Sequence, residues 1–204
     1  LLLVAILLPI FFATCILVSP FRNRGARETA VIGGTFAHCV LCALIFGHGG
    51  LSFSRPWIPG GIDFALSSTP FSGFILFAAA FFCFLIAVYS FRALENHPAA
   101  LQFYQLLFIT ESFASGAILA NNFVPFLFFW EGLLITLYAM IAIGGNGAWK
   151  TGLKGFALGG IADFCLIMGI ALFWKITGTL AMDHSPIGGF YRSLETQTDW
   201  EMLR

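Results

Sequence analysis

Six long runs of apolar residues, at about 1–19, 30–48, 71–91, 101–120, 123–143 and 152–174, are separated by short polar or helix-breaking stretches. Each run has roughly the 20 residues that a helix needs to cross the hydrocarbon core of a bilayer. Ser19-Pro20-Phe21-Arg22-Asn23-Arg24-Gly25 closes the first run, and Glu95-Asn96-His97-Pro98 parts the third from the fourth. Asn121-Asn122 and Gly144-Gly145-Asn146-Gly147 mark the next two breaks, with the residue types that favour turns over helix. A longer loop opens at Arg55-Pro56-Trp57-Ile58-Pro59-Gly60-Gly61. From Trp57 to Pro70 it alternates apolar and polar residues around Gly61-Ile62-Asp63-Phe64-Ala65-Leu66, which predicts a short extended or hairpin segment. The pattern as a whole predicts an all-α, polytopic membrane bundle of about six transmembrane helices, with an external hairpin between helices 2 and 3. The transmembrane domain is expected over 1–179. Residues 180–204 are polar and broken by Ser185-Pro186 and Gly188-Gly189, and read as a truncated connector.

The first run is expected to be a membrane helix rather than a signal peptide. It is too long and too uniformly apolar, no basic residue precedes it, and no small-residue cleavage site stands before Pro20. The chain opens at Leu1 inside an apolar run and ends at Arg204 without a closing element, so a processed chain or a fragment of a longer one is expected.

Composition removes the soluble alternatives. Of 204 residues, 59% are hydrophobic, 10% are charged and 25 are Phe, against about 25% charged in an ordinary soluble domain. Ten acidic and ten basic side chains cannot cover a soluble surface of this size. A soluble enzyme, a nucleic-acid-binding module and a disordered tail are excluded, and the lipid bilayer is the first partner. A net charge of zero gives no sign of an anionic partner. The five cysteines, Cys15, Cys39, Cys42, Cys83 and Cys165, all lie in apolar runs and make no secreted disulfide framework. Cys39 and Cys42 with His38 lack the further ligands that a zinc site needs.

Lysine and arginine set an expected orientation. The loops after the first, third and fifth runs hold Arg22, Arg24, Arg27, Arg92, Lys150 and Lys154, whereas the second-to-third and fourth-to-fifth loops hold only Arg55. The arginine-bearing loop is therefore expected in the cytoplasm and the N-terminus on the outer face. Lys175, Arg192 and Arg204 in the external tail weaken that bias.

Ionisable residues inside the runs carry the functional signal, because a charge at the bilayer centre costs several kcal/mol. There are four: His38, Glu111, Glu131 and Asp163. Glu111 and Glu131 each lie about 14 Å, at ~1.5 Å per residue, from the same Asn121-Asn122 turn, and Asp163 is also near mid-depth in its run. Glu111 stands among Thr110, Ser112 and Ser115, which could satisfy it locally as packing glue. Glu131 follows Trp130 in a Phe- and Leu-rich setting, with no short polar neighbour closer than Thr136. An ionised Glu131 needs a basic partner on another helix, and such a group suits a proton relay. Lys154, one turn inside the sixth run, either snorkels to the interface or bends inward toward the carboxylates. Phe113-Ala114-Ser115-Gly116 resembles the serine motif of rhomboid-like intramembrane proteases. The sixth run, however, has no histidine to take the hydroxyl proton.

The ordered set of motifs is more specific. Ala120-Asn121-Asn122-Phe123 through Phe129-Trp130-Glu131-Gly132-Leu133 resembles the fifth helix of the antiporter-like subunits. These are the proton-pumping membrane subunits of respiratory complex I (subunit L), of membrane-bound NiFe hydrogenases and of Mrp-type Na⁺/H⁺ antiporters. Trp57 with Gly61-Ile62-Asp63-Phe64 is similar to their external hairpin. Lys154-Gly155-Phe156 followed by Asp163 is similar to their sixth helix, and Thr177-Gly178-Thr179 to its exit. The departures are Asn121 for a frequent Asp, Gly159-Gly160 where an Arg often stands, and Thr69-Pro70 for Asp-Gly. They point toward a hydrogenase-type or divergent relative, and Glu111 has no counterpart.

The resemblance implies translocation of protons, or of Na⁺, driven by redox chemistry in other membrane and peripheral subunits of a quinone-reductase or hydrogenase type complex in the cell inner membrane. It implies no flavin, quinone or metal in this polypeptide, and no redox site of its own. It gives Glu131 the role of switchable carboxylate, served by a lysine on a later helix beyond Arg204. Lys154 and Asp163 follow as access or coupling groups, and Glu111 and His38 as further proton-carrying groups. A structural or assembly subunit that transports nothing, and a cation/proton antiporter subunit, stay open beside it.

Overall fold

The computed structural model describes residues 1–17, 24–58, 62–95 and 97–182. Six helices appear among them: α1 (Leu2–Leu17), α2 (Arg24–His48), α3 (Pro70–Ala93), α4 (Ala100–Leu119), α5 (Phe123–Ala142) and α6 (Ala148–Thr177). Between α2 and α3 lies an antiparallel hairpin of β1 (Ser52–Ile58) and β2 (Ile62–Ser67). Its first strand begins five residues before Trp57, and Ser52 pairs with Ser67. Most of the expected polar connector, 183–204, and the turn at 18–23 lie outside the described residues.

Local chemistry sets the helix ends. Thr69 caps α3 by accepting from the Ser72 amide at 3.1 Å, and the Ser72 hydroxyl accepts from the Thr69 amide at 2.8 Å. Pro70 fills the first helical position, where no amide hydrogen is needed. Asn122 accepts from the Val124 amide and starts α5, so Pro125 falls in the first turn, where a missing amide is harmless. Gly178 ends α6 in the left-handed region at φ +70°, which glycine adopts without strain. Two helices begin earlier than the apolar pattern alone implies. In α2 the polar first turn stays helical because Arg24 Nε meets Glu28 Oε1 at 2.8 Å one turn on.

Helix α4 is the hub, packing against α1, α3 and α5, while α6 packs on α5 alone among the helices. Four helices, α2, α3, α5 and α6, are long and apolar enough to cross a membrane. Helix α1 is shorter, at 16 residues. Helix α4 is less apolar because its polar residues, Glu111, Ser112 and Ser115, face other helices rather than lipid. Helix α6 is the reverse: only Gly152 and Asp163 are buried along its 30 residues.

Interlocking glycines set the close approach of α4 to α5. A Cβ on Gly116 would lie 2.4 Å from the Phe129 ring, and one on Gly132 would lie 2.5 Å from the Phe113 ring. Each helix thus receives a phenylalanine of the other over a glycine, the small-residue packing common in membranes. Gly159 admits Leu134 in the same way between α5 and α6.

Backbone bonds tie three chain crossings together at one end of the bundle. The Asn121 amide donates to the Ala65 carbonyl at 2.8 Å, Phe123 to Leu180 at 3.0 Å, and Met182 to Asn121 at 3.0 Å. The hairpin, the α4–α5 turn and the α6 exit therefore lie on the same side, as helices that traverse in alternation require. They border a cleft of about 760 Å³ whose polar lining includes Ser52, Ser54, Asp63, Asn121, Asn122 and Thr179. At the start of α2 and the end of α3, Arg24 reaches Glu95 at 2.9 Å.

Candidate functional site

Two buried acidic centres stand in different parts of the bundle. The first joins α2 to α4. His38 Nδ1 lies 2.7 Å from Glu111 Oε1, and both side chains are almost fully enclosed. His38 Nε2 lies 2.9 Å from the Ala5 carbonyl of α1. Because a carbonyl only accepts, Nε2 carries a hydrogen and donates. Glu111 Oε2 is buried without a hydrogen-bond partner.

The serine and threonine neighbours do not serve Glu111. Thr110 donates to the Leu106 carbonyl at 2.7 Å, Ser112 to Ile6 of α1 at 2.6 Å, and Ser115 to the Glu111 backbone carbonyl at 2.8 Å. One carboxylate oxygen, Oε1, is met instead by a histidine 73 positions away. Ser115 Oγ also lies 3.4 Å from His38 Nε2, so Ser115, His38 and Glu111 stand in the order of a nucleophilic triad. The chemistry fails because Nε2 donates to Ala5 and has no lone pair for the hydroxyl proton.

The second centre joins α5 to α6. Trp130 Nε1 donates to Asp163 Oδ1 at 2.8 Å, while Asp163 Oδ2 is buried without a hydrogen-bond partner. Glu131, the next residue on α5 after Trp130, is half-buried. Among the described residues neither acid forms an ion pair. Lys154 is exposed on α6, about 13 Å of helix rise before Asp163. The structure thus joins His38 to Glu111 and, through Trp130, brings the Glu131 segment of α5 to Asp163, and leaves Lys154 apart from both. Sequence reasoning missed Trp130 as the donor to Asp163 and Ala5 as the acceptor for His38.

Comparison with known proteins adds to this geometry. Residues 120–187 match the family model described as NADH:quinone oxidoreductase/Mrp antiporter, transmembrane, a range that holds both Glu131 and Asp163. The chain is 25% identical over 182 residues to a Na⁺/H⁺ antiporter subunit from Bacillus subtilis, covering 89% of this chain and 36% of that protein. It therefore spans little more than a third of that relative's length. Its fold superposes with a TM-score of 0.78 and 22% identity on a chain of the membrane-bound sulfane sulfur reductase, an archaeal respiratory membrane complex, covering 91% of this chain and 39% of that one. Against a chain of respiratory complex I from Thermus thermophilus the TM-score is 0.74 at 20% identity, over 90% of this chain and 38% of that one. The likeness to the family model is confined to residues 120–187, and the superpositions show that the chain shares the multi-pass helical fold of those membrane-complex chains.

Proposed function

We propose that this chain is part of a membrane subunit that translocates protons, or Na⁺, within a redox-driven assembly of other membrane and peripheral subunits. Glu131 is its switchable carboxylate. One observation carries the reading: Asp163 is buried at the α5–α6 interface against Trp130, half-buried Glu131 is the next residue on α5, and no described cation pairs with either acid. Two acids so placed favour a state in which a proton or a metal cation sits between them. A lysine moving nearer or further away would then load or unload Glu131 by Coulomb interaction. Asp163 couples to Glu131 across the α5–α6 interface, and Lys154 bends in from the bundle surface as an access group. His38 and Glu111 belong to the same reading as further proton-carrying groups.

The polar cleft at the hairpin end lies about 13 Å of helix rise from Glu131, counting nine residues from Asn122. It offers a water route from that side. The arginine-bearing end is placed in the cytoplasm and the N-terminus outside, in the cell inner membrane. Residues 1–179 form the transmembrane domain and 180–204 a connector.

The test is Glu131→Gln in the full-length protein within its complex, with proton uptake measured in membrane vesicles. Translocation is expected to be lost while the complex still assembles. Unchanged translocation would sink the reading and leave a structural subunit. The 25% identity to an antiporter subunit favours one second reading, exchange of Na⁺ for protons. In that case Na⁺ gradients, rather than electron flow, would drive the same Glu131-dependent signal.

A further inference from the structure

Helix α1 carries a proline at position 9 in its middle. In a regular helix the amide of residue 9 would donate to the carbonyl of residue 5, and proline has no amide hydrogen to give. The Ala5 carbonyl is thus left without its helical partner, fully buried inside the bundle. His38 Nε2 takes that place at 2.9 Å. One turn of α1 is built to accept a histidine from α2, and that acceptor decides which ring nitrogen is always protonated.

The consequence lies on the other side of the ring. With Nε2 committed as a donor, one proton remains for the 2.7 Å contact between Nδ1 and Glu111 Oε1. Held on Nδ1, it makes an imidazolium beside a carboxylate; held on Oε1, a neutral imidazole beside a carboxylic acid. Both arrangements satisfy every contact, and no heavy atom has to move. The second carboxyl oxygen, Oε2, is buried without a hydrogen-bond partner. Such an orphan acceptor is costly, and more so if charged. A cavity of about 160 Å³ between α3 and α4 reaches Glu111, with Thr110, Ser115, Cys83 and Ala79 among its lining residues. Its wall is mostly apolar, and its polar groups, Glu111, Thr110 and Ser115, all stand on the α4 side.

We propose that His38 and Glu111 form a proton-loading site, separate from the Glu131–Asp163 centre, whose tautomer is fixed by the missing amide of Pro9. At rest it holds one proton between Nδ1 and Oε1 and is neutral overall. A hydronium that reaches Glu111 gives it a second proton and leaves water behind. The product is a His38 imidazolium beside a neutral Glu111 acid, and net charge rises by one. Release reverses the step. The titratable side chains around the pair are Cys39 and Cys42 on α2 and Cys83 on α3, while α1 offers backbone carbonyls. Among the described residues no lysine or arginine forms an ion pair with either group. This deepens the reading that the chain moves protons, yet its test does not depend on transport.

The test is nitrogen NMR of the full-length protein in lipid vesicles with isotope-labelled histidine, the His38 signals being assigned by their absence in His38→Asn. Nε2 is expected to stay protonated between about pH 5 and pH 9, while Nδ1 changes with pH. Glu111→Gln, which keeps the shape, is expected to abolish or displace that change. Pro9→Ala, which returns an amide to Ala5, is expected to reveal the second tautomer. Ala79→Leu, which fills the cavity, is expected to slow proton exchange at Nδ1. An Nδ1 signal that ignores pH, or that follows the same curve in Glu111→Gln, would make the pair a static strut and overturn the proposal. Glu131→Gln should leave all His38 signals unchanged, so a failure of the transport reading and a failure of this one are told apart.

Discussion

His38 and Glu111 meet at 2.7 Å among α1, α2 and α4 with nearly all their surface enclosed, whereas Glu131 and Asp163 share the α5–α6 interface with no described cation nearby. The surroundings differ in the same sense. Helix α4 is surrounded by α1, α3 and α5, while α6 presents Leu158, Ile161, Phe164 and Ile176 on its exposed face. Each centre keeps one orphan oxygen, Glu111 Oε2 in the first and Asp163 Oδ2 in the second. The deep centre meets its other oxygen with a histidine that the bundle holds, while the one on the outermost helix pair has a half-buried Glu131 that depends on whatever lies beyond α6. The first centre is therefore expected to contribute far more to stability than the second, whose acids can be replaced at little structural cost.

That contrast breaks most sharply on stability. Removing one partner of a buried ion pair typically costs about 3–5 kcal/mol because the other charge is stranded. Glu111→Ala is expected to destabilise the detergent-solubilised protein by about that amount, read as a lowered melting temperature. Glu131→Ala, which breaks no described hydrogen bond, is expected to cost about 1 kcal/mol or less. Equal effects at the two sites would erase the distinction.

A second experiment probes the wall between the centres. At Gly132 an added Cβ would stand 2.5 Å from the Phe113 ring, and overpacking of this kind costs about 1–3 kcal/mol. Gly132→Leu is expected to separate α4 from α5 and so to disturb Glu131, one residue away. The His38 NMR signals should stay in place if the two centres are independent. A third experiment addresses the donor to Asp163. Trp130→Phe removes the 2.8 Å bond and leaves both Asp163 oxygens bare, at about 1–3 kcal/mol. The companion Asp163→Asn keeps an acceptor for the indole and is expected to cost less.

The sequence pattern reveals the helices more readily than the centres, and the reason is range. Apolar runs and turn residues are local, so α3, α4 and α5 fall close to the runs at 71–91, 101–120 and 123–143. The early start of α2 needs a salt bridge, Arg24 to Glu28, that hydropathy ignores. The partner of Glu111 lies 73 residues away, beyond any spacing rule, and the nearby Ser112 and Ser115 point to a local solution that the packing does not use. A signal for His38 did exist in Pro9, since a proline inside an apolar helix always frees a carbonyl four residues back. Only the fold shows which donor fills it. Asp163 and Glu131 are 32 positions apart by sequence number, and their adjacency also comes from packing, through the fit of Leu134 over Gly159.

The smallest expected effect separates two views of how the α5–α6 centre is completed. Lys154 is exposed and makes no ion pair among the described residues, so Lys154→Gln should leave the melting temperature unchanged. Its effect on translocation is the informative measurement. If Lys154 bends inward along its flexible stem to meet the carboxylates, Lys154→Gln should reduce proton uptake, and Lys154→Arg should keep only part of it, because a guanidinium holds its proton too tightly to pass it on. If the cation that completes the centre comes from outside the described helices, both variants should pump normally while Glu131→Gln still fails. The second result would place the missing charge against the exposed face of α6, the surface on which Leu158 and Ile161 stand open beside the one buried acid of that helix.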